Sequence, residues 1–116
     1  MAESGPKGLA VLWVTRDKGA AQNMVFMYTK NSKLKGWWKD VRLIVWGPSA
    51  KLLAEDEELQ SELRELKSAG VELLACKRCA DNYGVSDSLA ALGVEVIYMG
   101  EPFTGMLKEG WATISV

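Results

Sequence analysis

Five short stretches of this chain are almost wholly apolar, and between them apolar residues recur at helical spacing. The first, Leu9-Ala10-Val11-Leu12-Trp13-Val14, is unbroken, which marks a strand buried on both faces. Residues 41–46, 71–75, 94–98 and 111–116 predict four more strands. From residue 20 to about 32, Ala21, Met24, Val25, Met27 and Tyr28 predict a helix with those side chains on its apolar face. Residues 49–69 form a long helical stretch with Leu52, Leu59, Leu63 and Leu66 on the apolar side and Glu57, Glu58, Glu62, Arg64, Glu65 and Lys67 in water. A break is expected near Glu55-Asp56, where Asp56 can cap a second segment, and Gly70 is the expected terminator. Short helices follow through residues 80–84 and 86–92, and Pro102 opens a last helix that ends near Gly110.

Strand and helix thus alternate from end to end, which predicts an α/β fold with a mostly parallel sheet and helices on both faces. Ligands of such sheets bind beyond the carboxyl ends of the strands, near the point where the strand order reverses. Residues 15–18, Trp46-Gly47, residues 76–79 and Met99-Gly100 all fall at that edge.

Length and composition narrow the class. A chain of 116 residues suits one domain, expected over 8–116 behind a disordered lead-in of residues 1–7. The net charge of −1 offers no electrostatic case for a nucleic-acid or anionic-membrane partner. No apolar run approaches the ~20 residues of a membrane span, and the polar N-terminus lacks the form of a secretory signal. A soluble cytoplasmic protein is expected.

The chain has no histidine, which excludes Ser-His-Asp and Cys-His catalysis and every His-dependent zinc site. Its two cysteines, Cys76 and Cys79, are three residues apart and cannot staple distant parts of a fold. Cys76 directly follows a predicted strand at or just before a helix, a setting that favours a thiolate. Lys77 and Arg78 add positive charge, and Cys79 lies one turn on. Such a thiolate suits nucleophilic or sulfur-transfer chemistry; the plain alternative is two small apolar side chains filling a corner. A thioredoxin-like oxidoreductase fits less well, since the motif follows the third strand and Pro6, Pro48 and Pro102 do not precede a facing strand. Two thiolates also fall short of a zinc ligand set, with Asp81 the only neighbouring candidate.

No phosphate-cradling glycine loop of either common type occurs, and no cofactor is expected. The start of the last helix, Gly100-Glu101-Pro102, could face an anion, although a turn and cap is the simpler use. Trp13 and Trp46 belong to predicted strands. The adjacent Trp37-Trp38 cannot easily both be buried by one helix face, so packing on the sheet end and a subunit contact both stay open.

The segment Gly70-Val71-Glu72-Leu73-Leu74-Ala75-Cys76-Lys77-Arg78-Cys79-Ala80-Asp81-Asn82-Tyr83-Gly84-Val85 resembles the cysteine region of the DsrE/DsrF-like family of sulfur-relay proteins. The opening strand, Val45-Trp46-Gly47-Pro48 and the ending from Tyr98-Met99-Gly100-Glu101-Pro102 to Trp111 are similar to the same family. The resemblance implies a three-layer α/β/α sandwich around a five-stranded parallel sheet, assembled into homotrimers or hexamers. It also implies that Cys76 accepts sulfane sulfur as a persulfide from a donor protein and hands it to an acceptor protein. Cys79 matches a cysteine found in only some relatives. Lys77-Arg78 stand where relatives often carry Gly and a small residue. The expected site is therefore Cys76 and Cys79, with Arg78, Trp46, Gly47 and Gly100 as ligand contacts. A non-catalytic oligomeric binding module and a dithiol redox protein are the competing readings.

Overall fold

Each of the five apolar runs is a strand: β1 (Leu9–Trp13), β2 (Val41–Val45), β3 (Glu72–Cys76), β4 (Glu95–Ile97) and β5 (Ala112–Ser115). The structure is a computed structural model that describes residues 5–116. Every strand pairing is parallel, and the sheet order is β4-β3-β2-β1-β5. Of the predicted lead-in, residues 5–7 are exposed and lie in neither helix nor strand, and residues 1–4 fall outside the described residues.

Helices fill every crossover. α1 (Lys18–Ala20), a π-helical segment (Ala21–Phe26) and α2 (Met27–Leu34) run on from one another and join β1 to β2. α3 (Ser49–Glu55) and α4 (Glu57–Ala69) join β2 to β3, while α5 (Lys77–Tyr83) and α6 (Ser86–Ala91) join β3 to β4. α7 (Gly100–Lys108) joins β4 to β5. The steps β1 to β2 to β3 to β4 all go one way along the sheet, and β4 to β5 goes back past β1. Parallel crossovers are right-handed, so the first three stack their helices on one face and the last places α7 on the other. This is the α/β/α sandwich expected, with very unequal outer layers.

Strand alternation sorts the core accordingly. Leu9, Val11, Trp13, Leu43, Val45, Leu73 and Ala75 meet Val25, Phe26, Leu53, Leu59, Leu63, Leu66, Ala80 and Leu89 in the larger cluster. Ala10, Ile44, Leu74 and Cys76 meet Met99 and Met106 in the smaller one. The predicted break falls at Asp56, whose carboxylate accepts the Leu59 N–H at 2.9 Å, and Gly70 closes α4 at φ +98°. The Leu59 N–H, and then the Lys18 ammonium 3.0 Å away, hold the Asp56 carboxyl below the ordinary carboxylate value.

The helix between β1 and β2 differs from its predicted face. Ala21 and Val25 are buried as expected, but Met24 and Met27 are 40% and 52% exposed, and Phe26, Thr29 and Ser32 are buried instead. The π-helical segment is the physical cause. Its wider i to i+5 turns rotate the inward face relative to ideal helical spacing. The tryptophan pair also divides: Trp38 packs against the larger core and donates from its indole to the Tyr28 hydroxyl at 3.4 Å. Trp37 is 56% exposed, with its ring centroid 6.1 Å from that of Tyr28.

Candidate functional site

Cys76 is both the last residue of β3 and the residue that caps α5, with extended dihedrals of φ −69° and ψ 112°. Alternation along β3 sends Leu74 and Cys76 to the face that α7 covers. Cys76 is 6% exposed, and Cys79, in the first turn of α5, is partly exposed. Both are free thiols.

The two cysteine side chains lie close together, and the Gly47 N–H lies near the Cys79 sulfur. Burial, and then the Cys76 thiol, push the Cys79 pKa up, while the Gly47 N–H pulls the other way. Cys79 is therefore held as a thiol, a poor nucleophile that can still offer its S–H to a neighbouring anionic sulfur. Gly47 stands at φ +72°, a conformation that disfavours any Cβ, and this turn brings its N–H near the thiol.

A residue that sequence reasoning missed holds this turn in place. The buried Ser49 hydroxyl lies 2.6 Å from the Trp13 carbonyl and 3.1 Å from the Trp46 carbonyl, and it accepts the Trp46 N–H at 3.2 Å. It thereby ties the carboxyl ends of β1 and β2 together directly beneath Gly47. The only local signal was a small hydroxyl residue following Gly47-Pro48, a pattern that equally fits an ordinary helix start.

The other expected contacts are placed unequally. Trp46 packs edge-on against Phe103, 5.7 Å between centroids, in the same cluster as both cysteines. Arg78 is exposed and, among the described residues, joins no ion pair. Gly100 begins α7, is exposed and has open space around its Cα, while its neighbour Met99 is buried beside Cys76. Lys77 is engaged elsewhere: it pairs with Asp81 at 3.0 Å and stands 5.7 Å from the Tyr98 ring. Asp81 also accepts from Ser86, so its carboxylate is a surface group satisfied within its own helix pair. Among the described residues, no three His, Cys, Asp or Glu side chains gather as a metal site would require. No helix of the described residues is long and apolar enough to cross a membrane.

With that geometry in view, the comparisons with known proteins carry weight. The DsrE/DsrF-like family model matches residues 8–116, and the chain belongs to that family. A conserved protein of unknown function from Bacteroides thetaiotaomicron is 42% identical and superposes with a TM-score of 0.90 over 93% of each chain. A protein of unknown function from Methanobacterium thermoautotrophicum is 23% identical, with a TM-score of 0.74 over 93% of this chain and 97% of that one, a likeness of fold alone. No curated protein matches the chain.

Proposed function

We propose that this protein is a cytoplasmic sulfur carrier of the sulfurtransferase kind, in which Cys76 accepts sulfane sulfur and passes it to a partner protein. The observation that carries the reading is the placement of Cys76 at the carboxyl end of β3 with the Cys79 thiol against it. Membership of a sulfur-relay-type family supports it. The Cys76 thiolate attacks the outer sulfur of a donor persulfide, the donor's S–S bond breaks, and the donor leaves as a thiolate. The Cys76 persulfide then forms with its charge on the outer sulfur, where the Cys79 S–H can donate to it. An acceptor thiolate attacks that outer sulfur and Cys76 leaves as a thiolate, so no net oxidant is consumed. A homotrimer or hexamer is the assembly we expect to carry the site.

Intact-mass spectrometry of the reduced protein after exposure to a persulfide donor tests this reading. A gain of one sulfur atom that needs Cys76 and survives Cys79→Ser is the expected result. If Cys76→Ser gains sulfur as readily as the natural protein, the reading is wrong. The contact between two free thiols favours one second reading, a dithiol redox protein. Its mark is loss of two hydrogens without sulfur gain, abolished by either substitution. No mass change in any variant leaves a binding module.

A further inference from the structure

Beside the thiols, a groove of about 310 Å³ opens above β1 and β2, lined by Arg16, Pro48, Lys51, Leu52, Glu55 and Tyr83. Its volume is at the lower end of the range for small-molecule sites. It lies beyond the carboxyl ends of β1 and β2, the edge at which open parallel sheets bind ligands: Arg16 follows β1 and Pro48 follows β2. Cys76 ends β3, which pairs directly with β2 on the same edge of the sheet.

Three features give the groove a chemistry. Pro48, Leu52 and Tyr83 form an apolar wall, and Tyr83 is 42% exposed. Arg16, Lys51 and Glu55 are exposed at its rim and, among the described residues, none of them is in an ion pair. Lys51 and Glu55 sit one turn apart on α3, the spacing at which such residues commonly pair, yet they do not. Two cations and one carboxylate around an apolar wall complement a ligand with two carboxylates, one ammonium and an aliphatic body.

The groove also adjoins the sulfur chemistry. Cys79 and Tyr83 are four residues apart on α5 and share one of its faces, with about 6 Å of rise between them. From the other side, the Gly47-Pro48 turn has its N–H near the Cys79 sulfur and its proline at the groove wall.

We propose that this groove binds a small zwitterionic peptide acid bearing a persulfide, with carboxylates on Arg16 and Lys51 and the ammonium on Glu55, as the immediate sulfur donor. The donor role rests on the carrier reading above; the binding of the acid does not. Transfer follows the same balance, the small thiolate being the leaving group as the sulfane sulfur moves to Cys76.

Isothermal titration of the full chain with S-methylglutathione, which cannot transfer sulfur, tests the site. A saturable one-to-one heat is expected, about tenfold weaker in Arg16→Gln and in Lys51→Gln, each of which removes a charge-assisted bond. Glu55→Gln should weaken S-methylglutathione but leave glutarate, which has no ammonium, unaffected. All three side chains are exposed, so the variants should fold as the natural protein does. No saturable heat, or binding unchanged in both Arg16→Gln and Lys51→Gln, overturns the site. Loading of Cys76 followed by intact mass separates the two claims. Loss of loading from glutathione persulfide, with loading from inorganic polysulfide kept, is expected in Arg16→Gln. Polysulfide loading in a protein that does not bind S-methylglutathione removes the groove and leaves the carrier. Binding of the acid without any sulfur uptake removes the donor role.

Discussion

The two faces of the central sheet carry very different cover. On one, α1 to α6 and the π-helical segment seal Trp13, Leu43, Leu53, Leu59 and Leu63 completely from solvent. On the other, α7 alone lies over Ala10, Ile44 and Leu74, and Leu12, Trp46, Cys79, Ile97, Phe103 and Trp111 are only partly buried. The thiol pair belongs to the second face. The difference teaches a division of labour: deep packing on the helix-rich face holds the fold, and the thin face leaves Cys79 partly open to solvent beside the buried Cys76. The edge contacts there are correspondingly polar and shallow, as where Arg42 stacks 4.2 Å over Trp111 and pairs with Glu72.

The largest effect that can break this comparison is on stability. Leu63→Ala, in the sealed cluster, should cost about 3 kcal/mol in urea unfolding, and Phe103→Ala, on α7, less than half of that. Equal costs would mean that the two faces contribute alike, and the division would fall. Next in size is Ser49→Ala, which removes the hydroxyl that bridges the Trp13 and Trp46 carbonyls and should cost about 1 kcal/mol, the Trp13 carbonyl keeping the Trp46 N–H. It should also quicken alkylation of Cys79 by loosening the Gly47 turn. Unchanged alkylation would show that the turn is held by the strands alone.

The smallest effect is on titration. In the natural protein the midpoint of Cys79 alkylation against pH should lie above the ordinary thiol value, because burial and the Cys76 thiol disfavour the thiolate. Cys76→Ala removes the second of these causes. The midpoint should therefore fall, yet stay above the ordinary value for as long as burial persists. A midpoint that does not move would show that the two sulfurs are not in contact.

Much of this architecture was legible in order along the chain. Unbroken apolar runs such as residues 9–14 mark strands covered on both sides, and Asp56 and Gly70 carry cap and stop chemistry that acts within a few residues. Cys76 was placed at a strand end by the same local logic, and β3 does end there. Local spacing failed where the backbone left ideal geometry. Met24 and Met27 sit at helical intervals from buried Ala21, yet the π-helical segment turns them outward. Trp37 and Trp38 are chemically alike and adjacent, and only the path of the turn toward Tyr28 decides which one is covered.

The sequence by itself determined the alternation of elements, the family, and the pair of sulfurs at one sheet edge, because each is written in short-range pattern. Tertiary structure decided what surrounds those sulfurs. Right-handed crossovers and the return of β5 past β1 placed α7 alone over Cys76. Parallel pairing of β1 with β2 brought Ser49 onto the Trp13 carbonyl, and α5 then set Cys79 near the Gly47 N–H across 32 positions of chain. The same pairing opened the groove between Arg16 and Lys51. Contacts between residues so far apart depend on strand order and handedness, which no local spacing encodes.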